Sequence, residues 1–304
     1  MITLSNGVGY FDLQFLGTPR VIATGLIHGA GGAALVDPGP STCLDGLHAG
    51  LRSAGVSPDD VNAILVTHIH LDHAGAVGTL VRRHPKLRVY VHAKGAPHLI
   101  DPDKLLTSAA RLYGSDMDRL WGEVLPVAEQ NVVVLNGGER IEVAGRTLEV
   151  AYTPGHASHH VSYFVKDAGI AFVGDTAGVR VIEGGHVLAP TPPPDVDVEL
   201  WSDSLARIGA WHADTLFLTH FGPATSGGAH LSAVADNLQS ASRLVKASLE
   251  RDATDQERED WFVDQCRLEL RRRMSESDAR TYEVAGRFDL NWRGLARYWR
   301  KRGA

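Results

Sequence analysis

Thr67-His68-Ile69-His70-Leu71-Asp72-His73-Ala74-Gly75 follows an apolar run at residues 62–66 and leads into a second apolar segment at 74–83. The run before it reads as a buried strand, and the segment after it predicts a helix. In an extended chain residues two apart point the same way, so His68 and His70 can meet one ion. A turn into the helix then aims Asp72 and His73 at a neighbouring point. Taken singly, Asp72 reads as a helix cap and each histidine as a packed or solvated side chain. Taken together they do not: with each residue type at roughly one position in twenty, chance yields His-x-His-x-Asp-His on the order of a few times in a thousand. Such a cluster reads as a metal site.

Working outward, three later segments place polar residues at strand ends. Thr153-Pro154-Gly155-His156 follows a strand at 147–152, Gly174-Asp175-Thr176 follows one at 170–173, and Thr219-His220 follows one at 215–218. Ligands delivered from the same end of successive strands converge on one crevice. Further strands are expected at 10–16, 20–27, 33–36, 87–91, 132–135, 140–143 and 161–165, with helices at 43–54 and 196–208. Strands interleaved with helices predict a layered α/β (α+β) arrangement with the strands in the middle. Residues 93–127 break the alternation as a helical insertion, in which Asp101-Pro102-Asp103 starts one helix and Ser115 with Asp118 opens another. From Gly227 onward the apolar spacing is helical throughout. The expected organisation is a catalytic unit over residues 1–225 and a helical extension over 226–304.

The chain has 304 residues, 44% apolar and 22% charged, the balance of an ordinary globular protein. A net charge of -6 provides no basic field, so no nucleic acid partner is expected. The segment at 290–304 is basic and aromatic, and reads as helix-end cations rather than a binding tail. No run approaches the roughly 18 apolar residues of a membrane span, and the N-terminus lacks a secretory pattern, so no membrane partner and a cytoplasmic location are expected. Cys43 and Cys266 read as free, structural thiols.

The ordered set His-x-His-x-Asp-His, Thr-Pro-Gly-His, Gly-Asp-Thr and Thr-His resembles the metallo-β-lactamase superfamily, nearest to its glyoxalase II and lactonase branches with a bridging aspartate. The resemblance implies a four-layer αββα sandwich with a dinuclear metal centre at one edge. It implies that His68, His70 and His156 hold a first metal, that Asp72, His73 and His220 hold a second, and that Asp175 bridges both. Asp72 and Asp175 are thereby the catalytic carboxylates. Asp37, in Ala34-Leu35-Val36-Asp37-Pro38-Gly39, is implied to support the site without binding metal. His160, at the second histidine of Thr-Pro-Gly-His-x-x-x-His, is a candidate for a similar supporting role.

Five imidazoles and two carboxylates balance only part of the charge of two divalent cations, leaving room for a bridging hydroxide and an anionic transition state. Without a cysteine ligand zinc is the first choice, with iron or manganese open. The expected activity is hydrolysis of an ester, thioester or lactone in a small-molecule substrate. Gly178 stands where the lactonases carry a tyrosine, and Ala177-Gly178-Val179-Arg180 replaces the Cys-Gly-Arg/Lys-type run of glyoxalase II. Alternatives are a non-haem iron dioxygenase of the persulfide type, a phosphodiesterase or nuclease, and a metal-binding structural module. The insertion offers Leu105, Leu106, Leu112, Tyr113, Leu120 and Trp121 either as an apolar wall over the metals or as ordinary packing. The C-terminal helices complete the pocket or form a homodimer contact. His92 and His98 are expected in a solvated loop, and Arg180 as a surface cation or a clamp for a substrate carboxylate.

Overall fold

Side-chain alternation along the strands sets the layers. In β5 (Val61–Leu65) Ala63 and Leu65 face inward while Ile64 faces outward; in β10 (Val161–Val165) Val161, Tyr163 and Val165 face inward and Phe164 outward. Both faces are apolar because each sheet is covered twice, by the other sheet and by helices. The architecture is read from a computed structural model, which describes residues 1–303.

The first sheet runs β1 (Ile2–Ser5), β2 (Val8–Asp12), β3 (Ala23–Gly29), β4 (Gly32–Val36), β5, β6 (Arg88–His92), β7 (Val132–Leu135), in that spatial order. Its pairings are antiparallel up to β4 and parallel from there. Parallel neighbours need crossovers. They are α1 (Leu44–Ser53), then α2 (Leu71–Ala74) with α3 (Val77–Arg83), then the insertion, which forms α4 (Ala96–Ile100), α5 (Asp103–Tyr113) and α6 (Met117–Trp121). The second sheet is β8 (Arg140–Val143), β9 (Arg146–Tyr152), β10, β11 (Ile170–Phe172), β12 (Thr215–Leu218) and β13 (Gly222–Ala224). Its one parallel pair, β11 with β12, is bridged by α7 (Val198–Gly209). The result is the expected sandwich of two sheets between helical layers.

Expectation and structure differ locally. The strands expected at 10–16 and 20–27 end early and start late, because the Asp12 carboxylate accepts from the Gln14 and Arg20 amides (2.9 and 2.7 Å) and folds the intervening residues into a loop. The helix expected at 74–83 begins at Leu71 and is interrupted before Val77, so Asp72 and His73 lie within a helical turn of their own. The edge strands β1 and β13 and the short α4 were not expected.

The C-terminal region comprises α8 (Gly227–Leu249), α9 (Asp255–Arg273), α10 (Glu276–Gly286) and α11 (Phe288–Arg300). Val234, Leu238, Phe262 and Leu295 join Trp201 and Leu216 in one core on the outer face of the second sheet. Strand gives way to helix near residue 226, and the core continues across that point. Trp292 and Tyr298 of the basic segment are buried, and Arg293 grips Glu259 through two bonds of 2.7 and 2.9 Å.

Candidate metal centre

All seven predicted ligands come together at one end of the strands. His68 and His70 leave β5, Asp72 and His73 sit in α2, His156 follows β9, Asp175 occupies a 3-10 turn (Gly174–Ala177) after β11, and His220 joins β12 to β13. The two sheets are stitched here by backbone bonds from Val161 N to Thr67 O (2.8 Å) and Ala23 N to Thr219 O (2.9 Å).

Two groups of ligand atoms result. In the first, His70 Nδ1 lies 2.9 Å from His68 Nε2 and 3.0 Å from His156 Nε2. In the second, Asp72 Oδ2 lies 3.3 Å from His220 Nε2 and 3.9 Å from His73 Nε2. Asp175 stands between them: Oδ1 is 3.3 Å from His73 Nε2 and 3.6 Å from His220 Nε2, while Oδ2 is 3.5 Å from His156 Nε2. His73 Nε2 and Asp175 Oδ1 are buried with no hydrogen-bond partner. Leaving such atoms unsatisfied costs about 1–3 kcal/mol each, and metal coordination removes that cost. The donor set therefore fits two divalent ions with Asp175 shared between them.

Four imidazoles are aimed by a bond at the other ring nitrogen. His73 Nδ1 meets Asp37 Oδ2 at 2.8 Å, His156 Nδ1 the Pro190 carbonyl at 2.8 Å, His220 Nδ1 the Val21 carbonyl at 2.5 Å, and His68 Nδ1 the Thr67 hydroxyl at 3.1 Å. Each leaves Nε2 free to ligate. Asp37 is buried, and its carboxylate also accepts from Thr67 N, Thr67 Oγ1 and Thr219 Oγ1 at 2.7–2.8 Å. It thus bonds at once to the His73 ring and to both threonines that precede ligands. His160 is fully buried, its ring stacked on His68 with centroids 5.0 Å apart. Gly174 makes room for it, since a Cβ there would lie 2.6 Å from both His160 Nε2 and Thr67 Oγ1.

Electrostatics divides the two groups. Burial, reinforced by mutual repulsion, holds His68 well below its ordinary range and His70 near 4. Burial also lowers His156, against the pull of Asp175. For His73 and His220 burial acts downward too, but the Asp175, Asp37 and Asp72 carboxylates outweigh it for His73, and Asp175 and Asp72 for His220. Both are raised. Asp72 resists burial through His73 and His220 and falls to about 2. Protons therefore compete less for the first group than for the second, where His73 and His220 hold theirs more tightly.

The metallo-β-lactamase superfamily model matches residues 17–220. The chain belongs to that superfamily. A metallo-β-lactamase fold-containing protein of Sulfurisphaera tokodaii is 33% identical over 153 residues, covering 49% of this chain and 56% of its own. A hydroxyacylglutathione hydrolase of a Synechococcus strain is 33% identical over 144 residues, 47% of this chain and 43% of its own. The chain thus spans about half the length of these curated relatives. The crystal structure of a metallo-β-lactamase family protein from Thermus thermophilus superposes with a TM-score of 0.73 over 98% of this chain and 94% of the other, at 24% identity, which shows the shared fold.

In this superfamily member a cavity of about 330 Å³ opens onto His70, Asp72, His156 and Asp175. The insertion walls it with Leu105, Leu112 and Tyr113, and the C-terminal helices with Arg287 and Leu290. Leu120 and Trp121 pack into the core, Trp121 stacking on Phe15. The insertion is therefore both wall and packing. His98 faces this cavity instead of a solvated loop, and His92 is buried, its ring parallel to Tyr152 at 4.4 Å. Neither lies in a loop: His92 is the last residue of β6, and His98 lies in α4. His159 also lines the cavity, its Nδ1 accepting from Ile69 N at 3.4 Å. Its only sequence signal was adjacency to His160. Arg180 turns away and donates to the Pro223 carbonyl, so it clamps no substrate in this cavity.

Proposed function

We propose that this chain is a dinuclear metal-dependent hydrolase that opens an ester, thioester or lactone bond in a small-molecule substrate. The observation that carries the reading is Asp175, whose two carboxylate oxygens face two separate ligand groups. A shared carboxylate between two groups favours two ions over the single ion of an iron oxygenase. Bound there, divalent cations, zinc by preference for this imidazole and carboxylate set, supply Lewis acidity and water of lowered pKa.

The chain's own residues prepare the rest. Asp72, at about 2, and Asp175, held well below the ordinary range against its burial by His73, His220 and His156, stay ionised at neutral pH and act only as acceptors. Leu105, Leu112 and Leu290 exclude water around the reacting bond and bind apolar substrate atoms. Burial pushes Cys43 to about 11 and Cys266 to about 12, and neither borders the cavity, so a thiolate nucleophile is not available. The hydroxyacylglutathione hydrolase relative supports a thioester among the candidates, while the sequence after Asp175 and the turn of Arg180 away from the cavity favour a leaving group other than glutathione. The unbridged cysteines support the reducing cytoplasm as the location, and among the described residues no helix is long and apolar enough to cross a membrane.

The test is metal content by mass spectrometry, followed by lactones, aryl esters, thioesters and phosphotriesters on the metal-replete protein. Two equivalents of metal with turnover of a carbonyl substrate are expected. Full activity in His68→Ala and Asp175→Ala, or a flat panel with oxygen uptake on glutathione persulfide, overturns the reading.

A further inference from the structure

A second cavity, also about 330 Å³, lies against the other ligand group. The first borders His70 and His156; this one borders His220. The two share Asp72, Tyr113, Ala285 and Arg287, so they meet at a waist over the carboxylate that belongs to the second group. The waist is fixed by its own contacts. Arg287 is held by two bonds to Asp289 (3.1 and 2.9 Å) and lies over the Tyr113 ring at 5.4 Å, while Tyr113 meets Trp121 edge-on at 5.0 Å.

The chambers differ in chemistry. The first combines Leu105, Leu112 and Leu290 with the exposed Lys94 and Lys104 against one carboxylate outside the ligand set, Asp195, and the Lys94 ammonium also donates to the Tyr152 hydroxyl at 2.9 Å. The second is faced by Phe15, Ile22, Leu120 and Trp121, together with one cation and one carboxylate of its own, Arg119 and Glu283, whose charges offset. Each is at the lower end of the roughly 300–1,000 Å³ of small-molecule pockets, so a substrate that used only one would be small and would leave the other's apolar lining in water.

We propose that the substrate is an open-chain ester or thioester with a substantial group on each side of the scissile bond, a chain ending in an anion in the first chamber and an aromatic or apolar group in the second. The inference rests on the hydrolase reading above. A lactone ties both sides of its bond into one ring and fills one chamber; an open-chain substrate fills both, with its carbonyl at the waist. On hydrolysis the oxygen of water joins the acyl carbon and a proton goes to the departing alcohol or thiol. The two products then part into opposite chambers.

Binding of unreactive ketones tests this without requiring turnover. One probe carries a carboxylate-ended alkyl arm and a phenyl arm; two others keep one arm each and end in methyl. On metal-replete protein, calorimetry should show the two-armed ketone binding at least tenfold tighter than either single-armed one. Ser108→Trp, at an exposed position of α5 on the first chamber, should weaken only probes with the carboxylate arm. Val284→Trp, at an exposed position of α10 on the second, should weaken only probes with the phenyl arm. Ser108→Leu and Val284→Phe serve if a tryptophan variant does not fold. A two-armed probe no tighter than the better single-armed one, variants that weaken every probe or none, or lactones cleaved faster than matched open-chain esters, overturn the proposal. Two-armed binding with no ester or thioester cleavage sinks the hydrolase reading instead.

Discussion

The ligand cradle and the roof over it are built by opposite means. In the cradle direction matters: His73, His156, His220 and His68 are each aimed by a bond to Asp37, Pro190, Val21 or Thr67, and a rotated ring cannot ligate. In the roof, made by α5, α10 and α11, shape matters: Leu105, Leu112 and Leu290 would serve as well in many other apolar combinations. The difference teaches where a change is fatal and where it only retunes. Breaking the cradle should abolish chemistry; breaking the roof should redistribute specificity. The largest effect is therefore expected from Asp175→Ala, which removes the one carboxylate that faces both ligand groups. Metal content should drop below the wild-type stoichiometry and hydrolysis should fall to background. Wild-type metal content in this variant would show that the two groups are independent sites.

Next comes Asp37→Asn, which removes none of the seven ligands. The Asp37 Oδ2 atom accepts from three donors, the Thr67 and Thr219 hydroxyls and His73 Nδ1. An amide nitrogen in its place confronts donors with a donor. The hydroxyls can rotate, but His73 can respond only by moving its proton to Nε2, where metal must bind. Affinity at the second group should fall by about 10–100-fold, the usual cost of losing such a partner, with the first group less affected. Competition with a chromophoric chelator reads both steps. Equal weakening of both would show that Asp37 acts on the fold and not on one ring.

The same contrast explains what the sequence made legible. His68, His70, Asp72 and His73 are close in the chain, and His156, Asp175 and His220 each follow an apolar strand, so the whole cradle was readable. The roof was not. Arg287 and Leu290 reach the cavity only because α10 and α11 fold back from the far end of the chain, and no local pattern encodes that return. Tyr113 looked like any aromatic on an amphipathic helix. The short strands β1 and β13 escaped notice because four and three residues carry too little alternation. The start of α9 was legible and passed over: Thr254 and Glu257 form a reciprocal capping box.

Two contacts tie the C-terminal helices to the cradle, and each gives a smaller prediction. At the first, His230 at the start of α8 donates to the carbonyl of Ala177, in the turn that carries Asp175 (2.7 Å). Burial lowers the His230 pKa to about 4. Unfolded it titrates near 6.5, so below that pH the unfolded chain takes up a proton that the native state refuses. The contribution is complete above about pH 6.5 and is lost as pH falls towards 4. On the order of 2 kcal/mol should disappear between pH 7 and pH 5. His230→Gln keeps a donor without the titration, so its urea midpoint should fall less over that interval than that of the wild type. An unchanged difference would mean that His230 protonates freely in the native state.

At the second point the roof reaches a ligand. Asn291 of α11 accepts from Thr191 N at 2.7 Å, its backbone carbonyl accepts from Thr191 Oγ1 at 3.1 Å, and its amide donates to Gly286 O at 2.9 Å. The neighbouring Pro190 carbonyl is the acceptor that orients His156. Contact between α11 and this loop is so close that a Cβ on Gly294 would sit 1.9 Å from the Thr191 oxygen. Asn291→Leu removes the acceptor at similar size and should let the loop, and with it the His156 ring, drift. Affinity at the first group should fall by about tenfold, the low end for a partner acting through another residue. The cobalt-substituted spectrum should shift as well. Asn291→Asp keeps the acceptor for Thr191 N and should restore most of both. A leucine variant that loses thermal stability but keeps wild-type affinity and spectrum would make Asn291 a packing residue. The helical region would then shape the cavity without reaching the metal ligands through this loop.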